Sequence, residues 1–276
     1  MPQSTPQAPV LAGPPRLRSF GVVNWVGFWT LYVKEVRRFL KVIMQTVAAP
    51  VVTTLLFLAI FLLALGGGGG RQIAGVPYVE FLVPGLVMMA ITQNAFANTS
   101  SSIVIGKVQG NIVDLLTPPL SPAELVLGLA LGGVTRGVVV GLAVGLVLTP
   151  LAAIHLSSIA AIVFYGIAGS LMMSLLGLLG GLWADKFDHL AAVTNFVVTP
   201  LSFLSGTFYS VSQLPGSWHL VAHLNPFFYM IDGFRYGFTG VAEGSLAVGV
   251  ALMTVLDLLL LAWCHRLFVT GYKLKA

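Results

Sequence analysis

The chain has 276 residues, of which 57% are hydrophobic and only 8% charged, and it carries a formal net charge of +5. That balance excludes an ordinary soluble domain and points to an integral membrane protein. A charged side chain at a bilayer centre costs roughly 2.5–3.5 kcal/mol on insertion scales, so the charges are expected in loops and tails.

Residues 1–23 begin MPQSTPQAPVLAGPPRLR, a Pro-rich stretch without an apolar h-region, and read as a disordered cytoplasmic tail, not a signal peptide. Residues 24–44, NWVGFWTLYVKEVRRFLKVIM, read as an amphipathic helix in the headgroup layer. At about 100° per residue, Trp25, Phe28, Trp29, Tyr32, Val36, Phe39, Leu40 and Ile43 share one face, while Lys34, Arg37, Arg38 and Lys41 share another. Two roles stay open. The helix is either an anchor that fixes topology or a lever joining a cytoplasmic motor to the first span.

A hydrocarbon core about 30 Å thick needs roughly 20 helical residues, and six segments have that reach. They are 46–65, 81–106, 123–149, 157–183, 190–206 and 246–268. None has the alternating ten-residue pattern of a membrane barrel. The expected fold class is therefore all-α, with six transmembrane helices. Between the first two spans, the glycines 66–70 lack the Lys and Ser/Thr of a phosphate-binding loop, and GxxxxGK[ST] occurs nowhere in the chain. The run reads as a flexible outer loop, and any ATP would be handled by another polypeptide.

The second half of the second span is unusually polar, with Gln93, Asn94, Asn98, Thr99 and three serines at 100–102. Asn94 and Asn98 share a helix face, where they serve either interhelical hydrogen bonding or a substrate route. The loop 107–122 holds a short helix-competent stretch, 111–117, with Asn111, Asp114 and Leu115, stopped by Pro118 and Pro119. Ser121, Pro122 and Glu124 then form a capping box that starts the third span. The loop is either a tight turn or a docking element. Arg136 and Asp257 lie mid-span in the third and sixth spans and are expected to pair or to face a polar cavity.

Asp185, Lys186, Asp188 and His189 read as solvated turn residues. The stretch 201–240 is too apolar for a simple connection, and its 207–243 portion is expected to lie at the outer membrane face. His219 and His223 share a helical face, but without a third ligand the metal signal is poor, and no metal site is expected. Trp218, Phe227, Phe228, Tyr229 and Tyr236 read as an interfacial aromatic belt. Cys264 reads as an inert packing residue.

Orientation follows from the basic residues. Arg16, Arg18, Lys34, Arg37, Arg38, Lys41, Lys107, Lys186, Arg266, Lys273 and Lys275 fall on the side of the termini, against Arg71 and Arg235 on the other. Both termini are expected in the cytoplasm. The basic charge is then explained by topology and anionic headgroups, with no nucleic-acid partner implied.

Three stretches carry a family resemblance: TPPLSPAELVLG at 117–128, FLSGTFYSVSQLP at 203–215 and LNPFFYMIDGFRYGFTG at 224–240. With the helix 24–44 and the six spans, they make the chain resemble the permease subunits of type-2 ATP-binding-cassette exporters, notably the branch with antibiotic-efflux and lipo-oligosaccharide-export permeases. The resemblance implies a single transmembrane domain over 24–276 in a bacterial inner membrane, paired with a second permease copy and two cytosolic ATPase subunits that bind ATP and Mg²⁺. It implies ATPase coupling through the amphipathic helix (Lys34, Glu35, Arg37, Arg38, Lys41) and the 107–122 loop (Asn111, Asp114, Leu115). It also implies short outer re-entrant helices broken at Leu214–Pro215 and Asn225–Pro226, with Arg235 at or near the outer headgroups. Asn94, Asn98, Arg136 and Asp257 are the candidates for a path within the membrane. No cofactor is expected on this chain. An ion-coupled secondary transporter is the rival reading, lacking a convincing internal repeat; an intramembrane hydrolase lacks a recognisable nucleophile and base.

Overall fold

A computed structural model describes residues 21, 23–64, 72–73, 75–152 and 156–274. Most of the expected tail and the glycine run 66–70 lie outside the described residues. Six helices are long and apolar enough to cross a membrane, bounded by Met44–Ala64, Tyr78–Val108, Pro122–Leu151, Ile159–Trp183, Phe187–Leu204 and Leu246–Thr270. Each overlaps an expected span.

The first helix, α1 (Trp25–Leu40), is capped by Asn24, whose side chain accepts from the Gly27 amide. The chain then turns into the first span, which opens with a π-helical segment, Met44–Ala48, and continues as α2 (Ala49–Ala64). The cause is Pro50. It has no N–H to offer the carbonyl four residues back, and the helix widens so that the Ala49 amide reaches the Met44 carbonyl instead. The fifth span repeats this device. Its α7 (Phe187–Val193) runs through a π-helical Thr194–Val198 into α8 (Thr199–Leu204), with Pro200 following at the same offset.

A short antiparallel hairpin, β1 (Gln72–Ile73) with β2 (Val76–Pro77), precedes the second span, a feature too brief for a sequence pattern to reveal. The second span, α3 (Tyr78–Val108), is the axle of the bundle. In its most apolar window 83% of residues are buried, against 11% for the first span. The most central helix is thus the one with the polar second half. It is clasped by the third span, α5 (Pro122–Leu148), and the fourth, α6 (Ile159–Trp183). Small residues permit the approach: a Cβ placed at Gly177 would lie 2.6 Å from the Phe96 carbonyl oxygen, and one at Gly137 would lie 2.9 Å from that of Ile91. Thr99 Oγ1 donates to the Ser174 carbonyl across the same seam at 2.7 Å.

Between α3 and α5 sits α4 (Ile112–Leu116). At the opposite end of the bundle, α9 (Ser217–Leu224) and α10 (Pro226–Thr239) fill the connection to the last span, α11 (Leu246–Thr270). The Asn225–Pro226 break falls between α9 and α10 as expected. Asn225 caps α10 and also donates to the Leu201 carbonyl at 3.1 Å and Ser205 Oγ at 2.8 Å. At 1.5 Å per residue, the 14 residues of α10 reach about 21 Å, too short to cross a bilayer alone.

Candidate functional site: a loop joint and an intramembrane polar cluster

The capping box expected at the third span is present: Ser121 and Glu124 satisfy each other's amides at the head of α5, with Pro122 in the first turn. Glu124 does more than close the box. Its Oε1 accepts from the Asn24 amide at 2.5 Å, and Asn24 Nδ2 donates to the Pro119 carbonyl at 3.2 Å. The start of α1, the Pro118–Pro119 turn and the head of α5 are thereby one joint. Asn111 and Asp114 are exposed beside it, whereas Leu115 is buried with Ile112 in a cluster that includes Leu31, Ile103, Leu125, Cys264 and Phe268. Leu115 therefore anchors α4 and is not a surface contact. Cys264 is buried as expected.

Helix α1 has three faces, where the sequence pattern suggested two. Lys34, Arg37 and Lys41 are exposed, and so are Trp25, Trp29 and Leu40 on the apolar side. Leu31, Glu35 and Phe39 make a third, buried face against α5. Gly128 and Gly132 leave the room: a Cβ at Gly132 would lie 2.6 Å from that of Glu35. Glu35 and Arg38, expected on the coupling surface, turn inward. Glu35 is fully buried, bonded to Arg38 at 3.0 Å and accepting from Ser102 Oγ at 2.9 Å. Arg38 also reaches the Asn98 carbonyl at 2.6 Å, Asn98 Oδ1 at 3.1 Å and Ser101 Oγ at 3.1 Å. The polar half of α3 thus receives the charges of α1.

One turn deeper, Arg136 Nη2 donates to Asn94 Oδ1 at 3.0 Å, and Asn94 Nδ2 donates to the Ala90 carbonyl. Arg136 and Asp257 form no ion pair, so of the two arrangements expected for them, a pair or a shared polar cavity, the pair is absent. Asp257 carries a buried Oδ1 without a hydrogen-bond partner. Asn94 also lines a cavity of about 290 Å³ between the first span and α3, together with Gln45, Thr53 and Gln93.

At the other end, Arg235 is only 3% exposed, its side chain enclosed by protein. Its guanidinium stacks 3.6 Å from the centre of the Phe81 ring and donates to the Phe81 carbonyl at 3.1 Å and the Gly206 carbonyl at 2.6 Å. Burial lowers its pKa to about 10, opposed by the nearby Asp232 and Glu243 carboxylates. Asp232 accepts from the Glu243 and Gly244 amides, and Glu243 from those of Val211 and Ser212. Pro215 lies between the short 3-10 turn Val211–Gln213 and α9. These contacts bind α10 to the ends of the second and fifth spans. The aromatic belt is split accordingly: Trp218 is exposed, while Phe227 and Phe228 are buried.

In the fourth loop, Asp185, Lys186 and Asp188 are exposed, and Asp185 also binds Lys273 of the C-terminal segment at 3.0 Å. Lys107 caps the end of α6 by donating to the Gly181 and Ala184 carbonyls, both at 3.1 Å. No group of three or more His, Cys, Asp or Glu able to hold a metal occurs among the described residues, and the His219 side chain lies outside them.

Residues 26–239 match the ABC-2 type transporter family. The chain is 37% identical over 252 residues to the inner membrane transport permease YadH of Escherichia coli K12, covering 91% of this chain and 98% of that one. It is 28% identical over 237 residues to Nodulation protein J of Rhizobium leguminosarum bv. viciae, covering 83% and 88%. Nodulation protein J of Rhizobium meliloti is 26% identical over 214 residues, covering 77% and 80%. With a family match across most of its length and six helices of spanning length and composition, the chain belongs to the ABC-2 type transporter family as a permease.

Proposed function

We propose that this permease is the membrane-spanning subunit of an ATP-driven exporter in the bacterial inner membrane, working as two copies with two cytosolic ATPase subunits. The observation that carries the coupling part of this reading is the joint at Glu124. It links α1, the α4 turn and α5, while Lys34, Arg37 and Lys41 stay exposed along α1 and Asn111 and Asp114 at α4. A push on α4 or on the basic face of α1 would pass directly into the third span and, through Arg38, into α3. The inner-membrane placement is supported by the six apolar helices and by similarity to an inner membrane transport permease.

The exposed flanks of the first and fifth spans offer apolar surface for a second copy and for lipid, and both carry a π-helical segment before a proline where a span can bend. The outer short helices α9 and α10 fit a re-entrant role at the exit, braced by Arg235. The cargo class that suits so few intramembrane charges is an amphipathic one: lipid-like, drug or glycan-bearing.

Reconstitution of the chain with its ATPase in sealed vesicles tests this reading. Cargo movement that requires ATP and survives a protonophore supports it, while movement abolished by the protonophore and indifferent to ATP favours the ion-coupled alternative.

A further inference from the structure

We infer that Arg136, with Asn94 and Asn98, forms a receptor for the anionic headgroup of an amphiphile. The site is short of both negative charge and hydrogen-bond acceptors. Arg136 Nη2 uses Asn94 Oδ1, but its Nε is buried with no acceptor. One turn along α3, Asn98 Nδ2 is also buried with no acceptor, and its orientation is fixed because Arg38 occupies Asn98 Oδ1. The two orphan donors lie between matching turns of α3 and α5, since Asn98 Nδ2 stands 3.6 Å from where a Cβ at Gly132 would be.

Charge tells the same story. Glu35 is committed to Arg38, and the hydrogen-bond partner of Arg136 is the neutral amide of Asn94, not a carboxylate. The cluster of Arg38, Arg136 and Glu35 therefore keeps one positive charge uncompensated within the membrane, where an unpaired ion is costly. Asn94 is shared between Arg136 and the cavity walled by Gln45, Thr53 and Gln93, which opens between the first span and α3. A phosphate or carboxylate head supplies what is lacking: negative charge and several acceptors, which a guanidinium binds in a fork. The apolar flank of the first span then takes the tail.

This inference rests on the exporter reading for its biological meaning, but its test does not need an ATPase. The full chain in phosphatidylcholine nanodiscs is titrated with dodecyl phosphate and, separately, with dodecyl maltoside, a neutral probe with the same tail. Dodecyl phosphate is expected to bind at least ten-fold more tightly. Arg136→Gln should remove that preference, Arg136→Lys should keep part of it, and Asn98→Ala, which leaves the charge in place, should weaken phosphate binding by a smaller factor. Repeating the titration with phosphatidylglycerol in the discs separates the sources: competition identifies a bilayer headgroup as the occupant, persistence identifies a free amphiphile, and either supports the site. Equal affinity for the two probes in the wild-type chain, or an undiminished preference in folded Arg136→Gln and Arg136→Lys, overturns it. Binding without ATP-dependent transport would instead leave this site standing and remove the exporter reading.

Discussion

The Glu124 carboxylate accepts from the Asn24 amide at 2.5 Å while its other oxygen closes the capping box with the Ser121 amide at 2.6 Å. A helix cap that ordinarily serves one helix here serves two, and they are 100 residues apart in sequence. Removing it therefore has a local cost and a coupling cost.

Glu124→Ala should lower stability by about 1–2 kcal/mol, the usual range for loss of a cap together with one buried hydrogen bond. It should also reduce ATPase stimulation by cargo several-fold in the assembled complex. Ser121→Ala removes the hydroxyl half of the box but leaves both amide contacts of the Glu124 carboxylate, to Ser121 and Asn24, so it should reduce stability with little effect on stimulation. Denaturation curves and stimulated ATPase rates on the same preparations check both.

Arg38 and the exposed cations of α1 should behave oppositely. Arg38→Ala strands the buried Glu35 carboxylate and should cost about 3–5 kcal/mol. Lys34→Ala, Arg37→Ala and Lys41→Ala should leave thermal unfolding nearly unchanged and weaken retention of an ATPase subunit on an affinity column.

Glycine substitutions separate close packing from open groove. Gly132→Leu drives a side chain into Glu35 and should part α1 from α5, with loss of folded yield. Gly145 has nothing within 4 Å of an added Cβ, so Gly145→Ala should be tolerated and by helix propensity can gain up to about 1 kcal/mol. Detergent-solubilised melting temperatures distinguish the two.

Arg235→Ala leaves the Phe81 and Gly206 carbonyls without their shared donor and should destabilise the α10 end of the bundle by about 3 kcal/mol. Arg235→Lys, which cannot fork to both, should recover only part. Hydrogen exchange should report the loss in α10 and at the start of α3 before any change near α4.

The Asp185–Lys273 contact carries a pH signature. The hydrogen bond to Lys273 holds the Asp185 carboxyl below its ordinary value of 3.8. Because the folded-state value is depressed, the bridge contributes fully above the ordinary value and is lost as pH falls through the depressed one. Exchange protection of the Lys273 segment should therefore persist at neutral pH and disappear in strong acid, and Asp185→Asn should abolish that dependence.

The spans, the capping box and the Asn225–Pro226 break were legible because each depends on local chemistry: apolar length, a side chain three residues from its cap, a proline without an N–H. What escaped depends on neighbours distant in sequence. Glu35 looks like a surface charge until Gly128 and Gly132 of α5 are placed beneath α1, and Leu115 looks available until Leu31 and Phe268 cover it. The position of Arg235 between spans says nothing of its enclosure, which comes from the meeting of Phe81, Gly206 and α10. Depth along the spans suggests Asp257 as one partner for Arg136, whereas the partner it has is Asn94 on the central helix. The one clue in the sequence was the polar half of α3, which must find donors and acceptors wherever it is buried.

The central claim is that force enters at the α1–α4–α5 joint and that α9 and α10 lie at the opposite, outer end. Photo-crosslinking in the assembled complex tests it directly, with a photoreactive side chain placed in turn at Arg37, Asp114 and Trp218. Positions 37 and 114 should give ATPase-subunit adducts that change on ATP binding, and position 218 should give none. Adducts from position 218, or none from 37 and 114 in a complex that still hydrolyses ATP, would contradict it.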